Sequence, residues 1–559
     1  MLQRNTSSLS LLDEPIFSVR GHDGREARLS LPELLAACAG NRVDCLLSLR
    51  PHQEAMFHAF MVSLAFMAME SAGDVDATEL ATDAGRWREM LRGLTPDYPD
   101  DEPWKLLVSD WTKPGFMQSP CADSDVLQYT GLTASPQELD VLVTSKSHDI
   151  KPGKLGGFGA KHAGLWVHAL ITLHADGVYM PAGQKAASCY PSVRKNAGVA
   201  ARPQFRLVFE RGVGAEFCRD VAALFLRRSN MYESARAVGL TGPAIELLAW
   251  LKPWEHPFQA KSLHPLFLEV TRRVRLVVLA QGAIAARTAP SANKGWRTQF
   301  ESHRGVMADP WAPVVRDSEG DKALNPQSET GGFTYRRLAP VLFDREHFML
   351  PLLARPVGAE ALRGGTMVAR ALGRGQGGTD GYLSREVHFP PTAMRRTADD
   401  SALLALRSQS FMQTASDMQG KVLRSALIQY VDGSDDPNWK RPEFGRSVKT
   451  WEVAFDAAVD EIFFEELLDT IEQQQGDDEA LLRWARRLRA LAQNVFERAV
   501  DSLPTRDRSS HLARARAQSF LRSALRKRFP ALFAEARPGE GAEAAGTEIN
   551  DPTKEDIAG

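Results

Sequence analysis

The chain has little cysteine. Five cysteines occur in 559 residues, Cys38, Cys45, Cys121, Cys189 and Cys218, and no two form a C-x-x-C pair. That spacing gives neither a zinc ribbon nor a disulfide framework, so no metal site is expected, and reduced thiols in a cytoplasm fit best. Long apolar runs are also scarce. The most apolar stretch, Ala55–Met69, contains His58 and stops at Glu70, which is too short for a bilayer and reads as a buried helix. The opening residues Met1–Asn5 carry no apolar segment, so no signal peptide is expected. Catalytic signatures are missing as well. The 13 histidines are scattered, with no H-E-x-x-H and no G-x-S-x-G, and His162 and His168 do not share one helical face. No carboxylate pair stands in a motif, so the chain does not read as an enzyme.

Net charge is nearly absent too, at −2, but the charge is segregated. Residues 194–304 hold 18 Lys/Arg against 8 Asp/Glu, 451–480 hold 11 acids and no base, and 483–528 hold 13 bases against 3 acids. Basic runs of this size attract a polyanion, most commonly nucleic acid, and read as two basic surfaces. A second reading stays open for the last run, in which Arg486, Arg489, Arg516, Arg522 and their neighbours pair with the acidic stretch Glu461–Glu479 or with a partner subunit. Such surface pairs contribute under about 1 kcal/mol each.

The length predicts two or three domains, and the texture along the chain divides them. Leu11–Arg20 reads as a strand, Gly21-His22-Asp23-Gly24 as a hairpin turn, and Ser30, Pro32 and Glu33 as the capped start of a helix. Helices follow over 52–94, glycine-rich irregular chain over about 110–215, and mixed strands and helices over 206–395. Beyond about 400 the pattern is helical. Phe455, Val459, Phe463, Leu467 and Ile471, with Ala458 and Ile462, make one stripe. Leu488, Leu491, Val495 and Ala499 make another, and Ala513, Ala517, Phe520 and Ala524 a third, with a fourth helix over 400–430. The fold class is therefore α+β: a large mixed domain over 1–397, a four-helix bundle over 398–535, and a disordered acidic tail over 536–559.

Four loops carry candidate binding residues. Gly373-Arg374-Gly375-Gln376-Gly377-Gly378 fits G-x-G-x-x-G, yet Thr379-Asp380-Gly381-Tyr382 opens no helix, so a nucleotide-dependent enzyme is the minor reading. The better one is a glycine-rich hairpin tip exposing Arg374 and Gln376, able to approach or wedge a duplex, against the plain alternative of a surface turn. Lys146, His148, Lys151 and Lys154 lie in a basic loop without Walker spacing, suited to tracking phosphates or simply solvated. Gly183, Gln184 and Lys185 repeat the glycine–glutamine theme. Lys294 and Arg297 flank Trp296 as two cations around an exposed aromatic.

These residues resemble a known family. Leu11–Arg20 followed by Leu29–Leu35, Pro114-Gly115-Phe116-Met117-Gln118, Ala308-Asp309-Pro310-Trp311-Ala312-Pro313 and the four carboxy-terminal helices are similar to the large subunit of the type I-E Cascade complex, the CasA family of CRISPR effectors. The resemblance covers residues 9–535. It implies a subunit without catalytic activity or cofactor that reads the protospacer-adjacent motif of double-stranded DNA from the minor groove. It further implies that Gln376 in the hairpin Arg374–Gly378 separates the strands. Gly183, Gln184 and Lys185 supply the glycine loop, Lys294 or Arg297 the lysine element, and Lys146–Lys154 the loop facing the crRNA. The partners implied are the backbone, small and 5′-end subunits, the crRNA, target DNA and a recruited helicase–nuclease, with no membrane. The family's cysteine pairs are absent here, in keeping with no zinc. A structural scaffold without sequence readout is the alternative.

Overall fold

A computed structural model describes residues 9–533 except 75, 77–78, 141–160, 177–191, 195–201, 241–245, 281, 291–294, 327–331, 376–377, 400, 435–436, 438, 440 and 507–508. They sort into two compact units, residues 1–409 with 463–474, and residues 410–462 with 475–559.

The first unit is mixed helix and strand, in small sheets. Its entry matches the sequence reading. The strand Phe17–Gly21 turns at Gly24, which has φ of 77°, into the antiparallel strand Glu26–Leu29. The helix Leu31–Ala39 then starts at Ser30, whose backbone N–H and hydroxyl both donate to the Glu33 carboxylate at 2.7 and 2.9 Å. The helix Pro51–Ser71 is the apolar run seen in the sequence. It is buried on every side from Ala55 to Met69 apart from the partly exposed His58, as a helix apolar all round must be. The helices Ala84–Gly93, Ala163–Asp176 and Val213–Leu226 pack on it, through contacts such as the Phe66–Phe225 stack at 4.3 Å and the Phe57–His168 edge contact at 4.9 Å. No described helix is long and apolar enough to cross a membrane.

Two polar side chains fix the irregular chain between residues 105 and 120. Gln118, 2% exposed, donates to the Leu106 carbonyl at 2.9 Å and accepts the Leu276 N–H at 2.6 Å. Arg275 donates to the carbonyls of Lys113, Gln118 and Val108 and lies over the Trp111 ring. The Pro114–Gln118 segment is therefore core scaffolding, with its backbone closed by a bridge from Gly115 to Gln118.

The second unit is helical. The chain from Ala402 passes through a π-helical segment, Met418–Leu423, into Arg424–Asp432; the helices Asp477–Val500 and Ser510–Arg528 pack against these turns. Trp484 stacks on Phe411 at 5.0 Å and donates its indole N–H to the Phe411 carbonyl. Asp417 accepts from Lys421 at 2.8 Å and from Arg528. The last helix buries Ala513, Ala517, Leu521 and Leu525, so its core stripe advances by four throughout, and Phe520 and Ala524 sit at its flank. The 31-residue helix Pro442–Glu472 carries the first stripe, and its end sorts with the first unit because Phe463 packs on Tyr335 at 4.6 Å.

Two buried histidines make this core sensitive to acid. Burial pushes both His168 and His174 down to about 3, and the Arg272 charge adds to the effect at His174. His174 Nδ1 accepts the Thr271 N–H at 3.0 Å and so requires the neutral ring. Below the ordinary value near 6.5 the unfolded chain takes up protons that the folded chain refuses. Their contribution is thus complete above about pH 6.5 and is lost as pH falls toward about 3, at about 1.4 kcal/mol per pH unit for each ring. Urea unfolding midpoints measured across that window should fall with pH, and His174→Asn, which keeps an acceptor for Thr271, should flatten the slope by about one ring's share.

Candidate nucleic-acid interface

The glycine-rich motif lies in a long antiparallel hairpin, Gly365–Gly375 with Gly378–Phe389. Its strands pair from Gly365↔Phe389 to Gly375↔Gly378, leaving two residues between them; those two, Gln376 and Gly377, lie outside the described residues. A strand on each side of the motif, with no helix after it, excludes the dinucleotide arrangement. Near the far end Gly373 pairs Gly381 while Arg374 pairs Thr379, so Asp380 is the extra residue of a bulge. Gly381 has φ of +115°, a backbone that glycine accommodates. A bulge beside a turn sharpens the twist of the ribbon. Arg374 and Gly375 are placed by backbone pairing alone.

The root of the hairpin is firmly held. The strand Gln204–Val208 pairs with Thr366–Arg370 on the other edge, making Gly365–Gly375 the central strand, and Met367, Val368, Ala369, Ala371 and Leu372 are buried. Arg370 donates to Glu54 at 3.0 Å and Arg211 makes a two-pronged pair with Glu386. Beneath it lies a cavity of about 190 Å³ bordered by Glu54, His58, Arg206, Glu216 and Arg370. Its wall includes a buried charge network. His58 bonds Asp220 at 2.7 Å, Arg219 donates to the same carboxylate at 2.9 Å, and Arg206 pairs with Glu216. Burial raises the Asp220 carboxyl, but the His58 bond and the Arg219 charge prevail and hold it below the usual range. The network ties the helices Pro51–Ser71 and Val213–Leu226 to the strand Gln204–Val208 that pairs with the hairpin.

The basic run 194–304 is not one continuous basic surface. Arg194, Arg202, Arg206, Arg272, Arg273, Arg275 and Arg297 are all buried. Arg202 forms a two-pronged pair with Asp309 at 2.6 and 3.0 Å over Trp311, and Arg194 donates to the carbonyls of Phe267 and Pro265. Arg297, 7% exposed, donates to Glu269 at 3.1 Å and to the Val270 carbonyl, between Trp254 and Trp296. Trp296 is buried as well, so the pair of cations around an exposed aromatic is not what the fold contains. A charge count along the chain cannot separate these guanidiniums from solvent-facing ones.

Of the remaining sequence candidates, Lys294, Gly183, Gln184, Lys185, Lys146, His148, Lys151 and Lys154 lie outside the described residues. In the helical unit Arg486 and Arg522 are exposed and make no ion pair among the described residues, whereas Arg489 lies over Phe533 at 5.1 Å and Arg516 donates to the Gly433 carbonyl at 2.7 Å. The named ion pairs of the last helix run from Arg514 to Glu497 and Asp501 and from Arg528 to Asp417, away from Glu461–Glu479.

The sequence pattern of the CRISPR-associated protein Cse1 family matches residues 10–495. No curated protein matches by sequence. Among solved structures, Cse1 from Acidimicrobium ferrooxidans is 12% identical with a TM-score of 0.58, covering 93% of this chain and 98% of that one. CasA (Cse1) from Thermus thermophilus is 14% identical with a TM-score of 0.57, covering 93% and 99%. A chain of a CRISPR RNA-guided surveillance complex is 14% identical with a TM-score of 0.52, covering 88% and 98%. The protein belongs to the Cse1 family, the large subunit of type I-E Cascade.

Arg297→Ala would leave the buried Glu269 carboxylate without its cation, a change of about 3–5 kcal/mol in similar settings. We expect a clear fall in melting temperature and unchanged duplex affinity per folded molecule. Lower affinity at an unchanged melting temperature would make Arg297 a DNA contact after all.

Proposed function

We propose that the protein reads a short flanking motif in double-stranded DNA from the minor groove and wedges the duplex open for pairing with the crRNA. Gln376 is the side chain that enters the duplex. The observation carrying this reading is the hairpin. Two paired strands, held at the root by a third strand and two ion pairs, lead to a two-residue connection whose first residue is Gln376. A rigid ribbon with a small polar end is suited to entering a base step, since unstacking requires a few kcal/mol and a yielding support would deflect instead. The minor groove offers a degenerate pattern of acceptors, so a tolerant motif is expected.

In this reading the chain performs no bond chemistry and needs no cofactor. Lys294, Gly183, Gln184 and Lys185 accompany the wedge at the motif, and Lys146, His148, Lys151 and Lys154 face the crRNA end of the complex. Arg486 and Arg522 serve the small subunits or the displaced strand, and a helicase–nuclease is recruited in trans once the duplex is open. Such a division, with protein reading a short motif and RNA reading sequence, is the general logic of guided recognition.

The test uses the assembled complex with a fixed guide and targets differing only in the flanking motif. Gln376→Ala should lower motif-dependent binding and strand opening, followed by permanganate reactivity of unpaired thymines, by about tenfold or more, about 1.4 kcal/mol. Binding to non-target duplex should stay within about twofold, because phosphate contacts carry that term. Equal loss on both duplexes removes the wedge role, and indifference to flank and substitution alike favours a scaffold.

A further inference from the structure

A second basic feature lies in the first unit, and only one of its four arginines, Arg227, falls in the basic run 194–304. Arg227, Arg316, Arg345 and Arg355 come from four separate stretches of chain and line one open pocket of about 520 Å³, together with Phe348, Thr397 and Ser401. No carboxylate lines it among the described residues. Of the described acids nearby, Glu360 pairs with Arg219 at 3.0 Å and Asp344 with His347 at 2.8 Å. The four guanidiniums are braced by carbonyl oxygens instead. Arg227 donates to Leu352, Arg355 and Pro356, Arg355 to Leu350, Arg316 to Arg345 and Arg345 to Val341.

This arrangement leaves positive charge only partly offset. Burial, then the Arg355 charge, outweigh the Asp344 carboxylate and bring Arg345 to about 10; burial, then the charges of Arg219 and Arg355, outweigh the Glu360 carboxylate and bring Arg227 to about 10. Arg355 is lowered likewise by burial and then by Arg316. Three internal arginines of the same unit, Arg202, Arg206 and Arg297, are met by the carboxylates of Asp309, Glu216 and Glu269, whereas the singly placed Arg194 and Arg275 donate to carbonyls. A cluster of like charges braced only through neutral carbonyls is arranged for an anion from outside.

We propose that this pocket binds one nucleotide of a nucleic-acid strand, its phosphodiester among Arg227, Arg316, Arg345 and Arg355 and its base against the half-buried Phe348 ring. Planar guanidiniums match phosphate oxygens two at a time, and an aromatic ring beside a cationic groove is the usual platform for an unpaired base. The volume suits a nucleotide-sized group, within the range of about 300–1,000 Å³ for small-molecule sites. An acidic peptide would find the same charge but no use for the ring. The pocket also has a definite address. Arg345, Leu350, Ala354 and Thr397 border both it and the cleft beneath Met367 and Phe389, so it lies at the root of the hairpin. Along eleven strand residues that is about 33 Å from the turn. The inference rests on the proposed reading only in that the protein meets nucleic acid, and it asks for no motif.

The test uses the full chain and a short fluorescent oligothymidylate lacking any motif, followed by anisotropy over a salt series. Arg316→Glu should weaken binding at least tenfold and lower the salt slope by about 1. Arg316→Lys should retain most of the affinity, and because the probe has neither a motif nor a duplex to open, the result is independent of the wedge. In the unaltered protein, the oligonucleotide should protect Arg316 and Arg355 from phenylglyoxal, read by mass spectrometry, so the answer does not depend on a variant folding. Inorganic phosphate should compete only at far higher concentration. Affinity unchanged in Arg316→Glu, absence of protection, or displacement by oligoglutamate as effective as by oligonucleotide would each overturn the proposal. Phosphate competing as well as the oligonucleotide would overturn the nucleotide assignment and leave a free-anion site.

Discussion

A guanidinium inside a protein must be met by opposite charge or by a set of oxygens, and that requirement organises the first unit. Arg202 with Asp309, Arg206 with Glu216, and Arg297 with Glu269 each tie together separate segments of the chain. Arg275, with no carboxylate partner, gathers three carbonyls from the chain between Val108 and Gln118 and fixes a loop that has little regular structure of its own. Removing one member of such a pair leaves a buried charge, whereas replacing both by apolar groups is often tolerated, so the pairs specify an arrangement more than they stabilise it. The small sheets alone supply little cooperative structure, and these cross-links bind them into one body.

Against that background two departures stand out. One is the hairpin, which leaves the core as a paired ribbon while its root is held by a third strand, by Arg370 with Glu54 and by Arg211 with Glu386. The other is the arginine pocket at the same root, where positive charge is assembled and only partly offset. Departures of this kind are where function is expected.

Local chemistry made much of the fold legible. Ser30 with Glu33, the turn at Gly24, the all-apolar helix Ala55–Met69 and the helical stripes beyond 400 are short-range patterns whose physics is complete within a few residues. The helix Ala163–Asp176 was hidden in chain that reads as irregular. It is buried on nearly all sides, so it has no polar face to set a period, and glycine-rich sequence precedes it. The stripe of the last helix was displaced at Phe520, because an aromatic attracts a core assignment that Leu521 actually fills. Charge was the least legible property. Among the described residues, seven of the 18 cations of the run 194–304 are interior, and the four arginines that meet in one pocket come from positions up to 128 residues apart, a convergence only the fold creates. The glycine motif was legible as a hairpin because Thr379-Asp380-Gly381-Tyr382 after it opens no helix, whereas Gly183, Gln184 and Lys185 have no such local sign beside them.

The edge strand supports the ribbon only as far as Arg370 opposite Gln204, and beyond that point Ala371–Gly375 has a single hydrogen-bonded neighbour. Its faces are held further, because Ala371 and Leu372 are buried. A load applied at the free end is taken up at Leu372, Ala371 and Arg370, where burial, the third strand and the salt bridge to Glu54 hold the ribbon. The stiffness with which the free end resists a push is therefore set at the clamp, by residues that the object being pushed never touches.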